Sequence, residues 1–187
     1  MGSGSSRVTE VDGVPYLVHP QCLAKIVESY TGPEPCPVVL LQVGGDCISS
    51  VDDALQLVNR FSGVFRVLPG SLESHLPPGP YFLRHGGIHQ AYRLYEDTLD
   101  SFIFGVIPLD PLYPEECVPL DLLCPKAIWK RIAIPSRLYH VRTSETPLAG
   151  AHMGIKDIFG LKGTQTTMMS RPWIELYDPD EQSADYT

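Results

Sequence analysis

The side chains best suited to chemistry gather in one aromatic segment, residues 81–104. It reads YFLRHGGIHQAYRLYEDTLDSFIF, with its two histidines placed around a Gly-Gly pair. Histidine transfers protons near neutral pH, and arginine or tyrosine can orient a polar group of a ligand in an apolar pocket. We predict three catalytic residues, Arg84, His89 and Tyr92. The predicted substrate-binding residues are Tyr81, Phe82, His85, Tyr95, Phe102 and Phe104.

The same segment also permits plainer interpretations. Most of its aromatic residues could simply pack in a core, and His85 and His89 could be partly exposed loop residues. The two histidines could also bind a metal ion, but no third ligand follows nearby, since His75 lies upstream across several Pro and Gly positions. We therefore predict neither a metal site nor a cofactor.

A second chemical candidate is Lys156, in PLAGAHMGIKDIFGLKGTQTT (147–167). A lysine flanked by glycines and apolar residues could serve as a catalytic base. This motif, within residues 134–177, resembles the corresponding stretch of fungal amidase-like proteins of the amidase-signature family. Those proteins carry an extra N-terminal domain, which VDGVPYLVHP (11–20) and YRLYEDT (92–98) also resemble. The chain is thus similar to a stand-alone relative of that domain, ending just after the family's lysine motif.

The resemblance implies what the chain lacks for hydrolysis. In that family a lysine works with a serine on a cis peptide and a serine nucleophile, and the lysine corresponds to Lys156. Both serines belong to Gly/Ser-rich stretches, and Ser170 and Ser183 have no such surroundings. A serine without an activating partner is a poor nucleophile, so we predict no amidase activity for this chain. We expect 147–156 to be a strand that pairs with the N-terminal sheet, and Lys156 to be solvated or paired with an acid.

Composition narrows the classes of partner. The chain of 187 residues has a net charge of -8 and a pI of about 5.1, which argues against binding nucleic acid. No apolar run approaches the roughly 18 to 20 residues of a membrane span. Five cysteines without C-x-x-C spacing predict a reduced protein of the cytoplasm.

Residue patterns predict an α+β fold: a single mixed β-sheet with two or three short helices. A hairpin is expected over 7–19 around Asp12-Gly13, and a buried strand over 36–45. Helices are expected over 21–32 and 50–63.

The segment 81–109 is ambiguous between helix and hairpin. We prefer a hairpin whose strands are GIHQAYRLY (87–95) and SFIFGVIPL (101–109), because both are rich in strand-forming residues. A further strand is expected within 129–141. We divide the chain into a flexible leader (1–6), one α+β domain (7–177) and a disordered acidic tail (178–187).

Two functions fit these observations. We favour a small, cofactor-independent enzyme of fungal secondary metabolism, the setting that the resemblance implies. It would catalyse ring formation as a cyclase or pericyclase of the Diels-Alderase kind, or a related isomerisation or dehydration, on an apolar substrate. The alternative is a non-catalytic binding or oligomerisation module derived from an amidase-like protein, where an unpaired strand edge could be covered in a homodimer. A closed apolar pocket favours the enzyme, whereas a filled core with an apolar patch favours the module.

Overall fold

The chain is built mainly from β-strands. The computed structural model describes residues 7–25, 34–40, 66–68, 76–124 and 128–185, with the backbone alone for 38–40 and 66–68. Within these ranges the helical elements are a 3₁₀ turn, Arg137–Tyr139, and one α-helix, α1 (Arg171–Leu176). The strands are β1 (Val8–Val11), β2 (Val14–Val18), β3 (Ala24–Lys25), β4 (Cys36–Leu40), β5 (Arg66–Leu68), β6 (Gly79–Arg84), β7 (Gly87–Glu96), β8 (Gly105–Pro108), β9 (Cys117–Leu120) and β10 (Arg131–Pro135).

The first hairpin forms where the sequence predicts it. β1 and β2 pair antiparallel from Val8 opposite Leu17 to Val11 opposite Val14. The two residues between them, Asp12 and Gly13, have φ of 50° and 76°. An Asp-Gly pair tolerates this left-handed conformation at low cost, which is why it closes a two-residue hairpin.

β7 is the central strand of the larger sheet. The strands run in the order β1-β2-β7-β6-β4-β5, and both β3 and β10 also pair with β7. β4 and β5 are parallel, whereas β1–β2, β2–β7, β3–β7, β4–β6 and β6–β7 are antiparallel. The larger sheet is mixed, as predicted, but β8 and β9 form a second, two-stranded sheet where a single sheet was expected. Strand dominates the α+β fold.

The predictions for 81–109 and for the helices need correction. The segment is extended rather than helical, but β7 pairs with β6 across a turn at His85-Gly86, and β8 pairs with β9. The hairpin therefore joins different strands from those expected. Residues 24–25, predicted to be helical, form β3 and pair with β7. The predicted helix 50–63 and the leader lie outside the described residues.

The core of the sheet lies where β2, β6 and β7 meet. Residues 87–92 are all buried, which means that both faces of β7 are covered, because side chains of a strand alternate between faces. Val18, Phe82 and Ala91 form a buried cluster, and the rings of Tyr16 and Phe82 meet edge-on with centroids 5.9 Å apart.

Tyr139 links β6 to β7 beyond the end of their ladder at Tyr81 opposite Gln90. Its hydroxyl accepts a hydrogen bond from the Ala91 N–H at 3.0 Å and donates to the Pro80 carbonyl. Pro80 and Ala91 would form the next pair of the ladder, so one side-chain hydroxyl bridges the two strands there. Gly79 leaves room for the ring, since a Cβ at this position would lie 2.8 Å from it.

The chain divides into two compact units. The N-terminal unit comprises Met1–Leu94 and Ile134–Ala151, and the C-terminal unit comprises Tyr95–Ala133 and His152–Thr187. Residues 147–156 form turns and irregular chain instead of the expected strand. The stretch 178–185, expected to be a disordered tail, is hydrogen-bonded to 160–166 within the C-terminal unit.

Candidate functional site

The predicted catalytic residues lie on the β6–β7 hairpin but not on one face of it. In the register, Phe82 lies opposite His89, and Arg84 lies opposite Gly87. Alternation along the strands therefore puts Arg84 and His89 on one face and Tyr92 on the other. The three side chains do not converge on one point.

His89 is buried and bound to the backbone. Its Nδ1–H donates to the carbonyl of His19 at 2.8 Å, which fixes the ring against the chain after β2. His19 is itself fully buried, and its Nδ1 accepts from the backbone N–H of Gln21 at 3.1 Å. Tyr92 packs against the His19 ring with centroids 5.4 Å apart. These contacts give both residues structural roles in the sheet.

The predicted substrate-binding residues separate in the same way. Tyr81 and Phe82 are buried in the N-terminal unit, where burial raises the pKa of the Tyr81 hydroxyl and its O–H donates to the Pro77 carbonyl at 2.8 Å. His85 is exposed in the turn, and its backbone N–H donates to the Glu34 carboxylate at 2.7 Å. The remaining three, Tyr95, Phe102 and Phe104, belong to the C-terminal unit, where they are exposed or half-buried.

Lys156 is exposed, and no carboxylate of a described residue lies within ion-pair distance of its ammonium group. The neighbouring Asp157 has a structural role. Its carboxylate accepts hydrogen bonds from the Thr167 N–H at 2.8 Å, from the Thr167 hydroxyl and from the Met169 N–H at 3.4 Å. Met168 and Met169 both have φ of 51°, an uncommon conformation for residues other than glycine, and the hydrogen bonds of Asp157 hold this turn in place. The lysine is thus solvated, one of the two outcomes expected for it.

A groove of about 320 Å³ lies within the C-terminal unit. This volume falls at the lower end of the roughly 300–1,000 Å³ range of small-molecule sites. Its apolar wall comes from the segment around Ile158, from the turn at Met168 and from helix α1. The residues that line it are Ile158, Gly160, Thr166, Met168, Trp173, Tyr177, Asp178, Pro179, Asp180 and Glu181.

Helix α1 supplies the aromatic side of the groove. Pro172 lies in its first turn, where a missing N–H costs no hydrogen bond. Trp173 and Tyr177 lie four residues apart, so they project from the same side of the helix end. Their rings stack with centroids 4.1 Å apart and planes at 31°. The sequence carries this signal as a W-x-x-x-Y spacing followed directly by the acidic 178–181, but neither aromatic residue was among the predicted site residues.

Hydrogen bonds fix the part of the groove that is formed by residues 160–166 and Asp180. The Thr166 hydroxyl donates to Asp180 Oδ2 at 2.6 Å, and the Asp180 backbone N–H and carbonyl bond to Thr164 and Gly163. The Asp180 carboxylate lies against Gly160, where a Cβ would be 3.2 Å from the carboxyl carbon. The side-chain amide of Gln165 donates to the Ile174 carbonyl at 2.8 Å, which ties the loop to α1. The groove is therefore formed by the fold of this unit.

The charge of the groove is negative. Asp178, Asp180 and Glu181 line it, whereas its lining within the described chain contains no lysine, arginine or histidine. The carboxylates are not arranged as a metal site, because no group of three or more His, Cys, Asp or Glu among the described residues could hold an ion. No helix in the described ranges is both long and apolar enough to span a membrane.

No protein-family model matches this sequence, and no solved structure matches the chain. The relationship to amidase-like proteins stays a prediction from the motifs quoted above.

Proposed function

We propose that the chain is a non-catalytic binding module that takes a small, largely apolar molecule in the groove of its C-terminal unit. The observation that carries this proposal is the groove itself, with its stacked Trp173 and Tyr177, its apolar Ile158 and Met168, and a volume of about 320 Å³. Aromatic and aliphatic walls with a few polar groups are typical of small-molecule sites.

The rigidity of the groove supports binding. Asp157, Gln165 and Asp180 each hold a segment of its wall through hydrogen bonds. A site that is already formed costs less ordering entropy when a ligand enters. The lining residues in the described chain include no histidine, cysteine, serine or lysine.

The sequence also favoured a ring-forming enzyme centred on residues 81–104, and we prefer the module for two reasons. His89 and Tyr92 lie on opposite faces of β7 and contact the buried His19. The aromatic residues Tyr81, Phe82 and Tyr92 fill the sheet core. The filled sheet core was a feature expected of a binding module, and the groove, lined by three carboxylates, is not the closed apolar pocket expected of the enzyme.

Tryptophan fluorescence tests this function. The chain contains two tryptophans, so Trp129→Phe leaves Trp173 of the groove as the reporter. Titration with three compounds that share one apolar body, phenylbutanol, phenylbutylammonium and phenylbutanoate, should produce a saturable change in emission with at least one of them. Trp173→Phe, with Trp129 retained, is the matched control and should remove the response.

Mass spectrometry of the complex separates binding from turnover. Ligand recovered after long incubation should have its original mass and structure. If none of the three compounds saturates, or if the Trp173→Phe protein responds equally, the proposed groove function is refuted.

A further inference from the structure

The ligand of the groove can be specified further by its charge. We infer that the groove selects an organic cation, an ammonium group attached to a small apolar body. This inference rests on the proposed binding function and adds the chemical class of the ligand. It depends on three features: the aromatic pair, the carboxylates beside it and the lack of a basic side chain in the lining.

The aromatic pair is placed to receive a cation. Trp173 and Tyr177 stack at the end of α1 and both face the groove. The face of an aromatic ring attracts an ammonium ion through its quadrupole, most strongly for tryptophan. The residue after Tyr177 is Asp178, which also lines the groove.

Two of the three carboxylates remain available to a ligand. Asp180 is engaged by the Thr166 hydroxyl and holds the loop at Gly160. Asp178 and Glu181 are exposed, and neither forms an ion pair or a side-chain hydrogen bond with another described residue. An ammonium ion in the groove would meet two unneutralised negative charges and an aromatic face among the lining residues.

An anionic ligand would face only negatively charged side chains in the groove lining. The basic residues closest in sequence lie outside the lining: Lys162 pairs with Glu116 at 3.7 Å, and Lys156 and Arg171 do not line the groove. A carboxylate ligand would therefore be repelled by like charges with no compensating cation in the lining. Specificity would arise from repulsion as much as from attraction.

The three phenylbutyl compounds test the charge preference, because they differ only at the polar end. In the Trp129→Phe protein, phenylbutylammonium should bind roughly tenfold more tightly than phenylbutanol, as expected for a cation on an aromatic face beside carboxylates. Phenylbutanoate should bind more weakly than the alcohol. The ammonium preference should shrink at high salt.

Charge-neutral variants locate the effect. Asp178→Asn combined with Glu181→Gln should lower the affinity for the ammonium compound to that for the alcohol, while the affinity for the alcohol stays unchanged. Asp121→Asn, a single charge removal at an exposed position outside the lining, is the control and should leave the preference intact. Asp180 is not substituted, because its loss would disturb the wall.

The possible outcomes distinguish a failure of the charge preference from a failure of the proposed binding function. Equal affinity for the ammonium and the alcohol would overturn the charge inference while the binding function stands. An ammonium preference that survives the double substitution would also overturn it. No binding of any of the three compounds would refute the proposed function and the inference together.

Discussion

The hydroxyl of Tyr139 replaces a direct backbone hydrogen bond between β6 and β7. It receives the Ala91 N–H and donates to the Pro80 carbonyl, and its ring packs on Tyr81 with centroids 5.1 Å apart. Burial raises the pKa of this hydroxyl, so it keeps its proton and remains able to donate.

We expect Tyr139→Phe to lower the free energy of unfolding by about 1–3 kcal/mol, because it leaves the buried Ala91 N–H without its partner. Chemical denaturation monitored by circular dichroism measures this change. Tyr113→Phe, at an exposed tyrosine, is the matched control and should change stability by less than about 0.5 kcal/mol. Equal stability of the two variants would show that the Tyr139 hydroxyl contributes nothing.

Single residues also show the limit of sequence reasoning. The aromatic and histidine residues of 81–104 could be picked out by type, and strand alternation alone would have placed His89 and Tyr92 on opposite faces. The role of Tyr139 could not be predicted, because its partner Ala91 lies 48 residues away in the chain. Side-chain bonds of this range depend on the fold and leave no local pattern.

At the scale of elements, Asp97 closes the turn that follows β7. Its carboxylate accepts the backbone N–H groups of Ser101 and Phe102, each at 2.9 Å. Those hydrogen bonds, with the charge of Lys130, lower the pKa of Asp97 below its ordinary value of 3.8. A lowered pKa means that the ionised group stabilises the fold above that ordinary value, and that the contribution is lost as the pH falls through the folded-state pKa.

We expect Asp97→Asn to melt at a lower temperature than the unaltered chain at pH 7. The carboxylate has two acceptor oxygens, one for each N–H group, whereas the amide of asparagine has one acceptor oxygen and an NH₂ group that cannot accept. The difference between the two melting temperatures should decrease as the pH falls below about 4, where the native carboxylate becomes protonated. Differential scanning calorimetry across that pH range measures both effects. Asp121→Asn is the control, and a difference that is independent of pH would contradict the assignment.

Turn chemistry was the most predictable feature among the elements. Asp12-Gly13 predicts the turn of the first hairpin, and the apolar run that begins at Cys36 predicts β4. β6 was not expected as the partner of β7, because its start, Gly79-Pro80, follows a proline-rich stretch that reads as irregular. Pairing between strands depends on their shared packing, which neither strand encodes alone.

At the scale of the whole molecule, net charge opposes the association of exposed apolar surface. The C-terminal unit leaves large hydrophobic side chains accessible at scattered positions. They include Leu99, Tyr113, Ile128, Met153, Met169 and Leu176. The net charge of -8 at pH 7 repels one copy from another, and this net repulsion vanishes near the pI of about 5.1.

We therefore expect self-association to increase as the pH falls from 7 to 5.1, since apolar contacts then act without opposing charge. Sedimentation velocity at matched ionic strength should show the average mass rising between these conditions, and added salt at pH 7 should produce part of the same rise by screening. Far-ultraviolet circular dichroism at both pH values separates association of the folded chain from unfolding. A sedimentation coefficient that does not change with pH or salt would contradict this account, because it would mean that the exposed side chains do not attract one another even when the charge is removed.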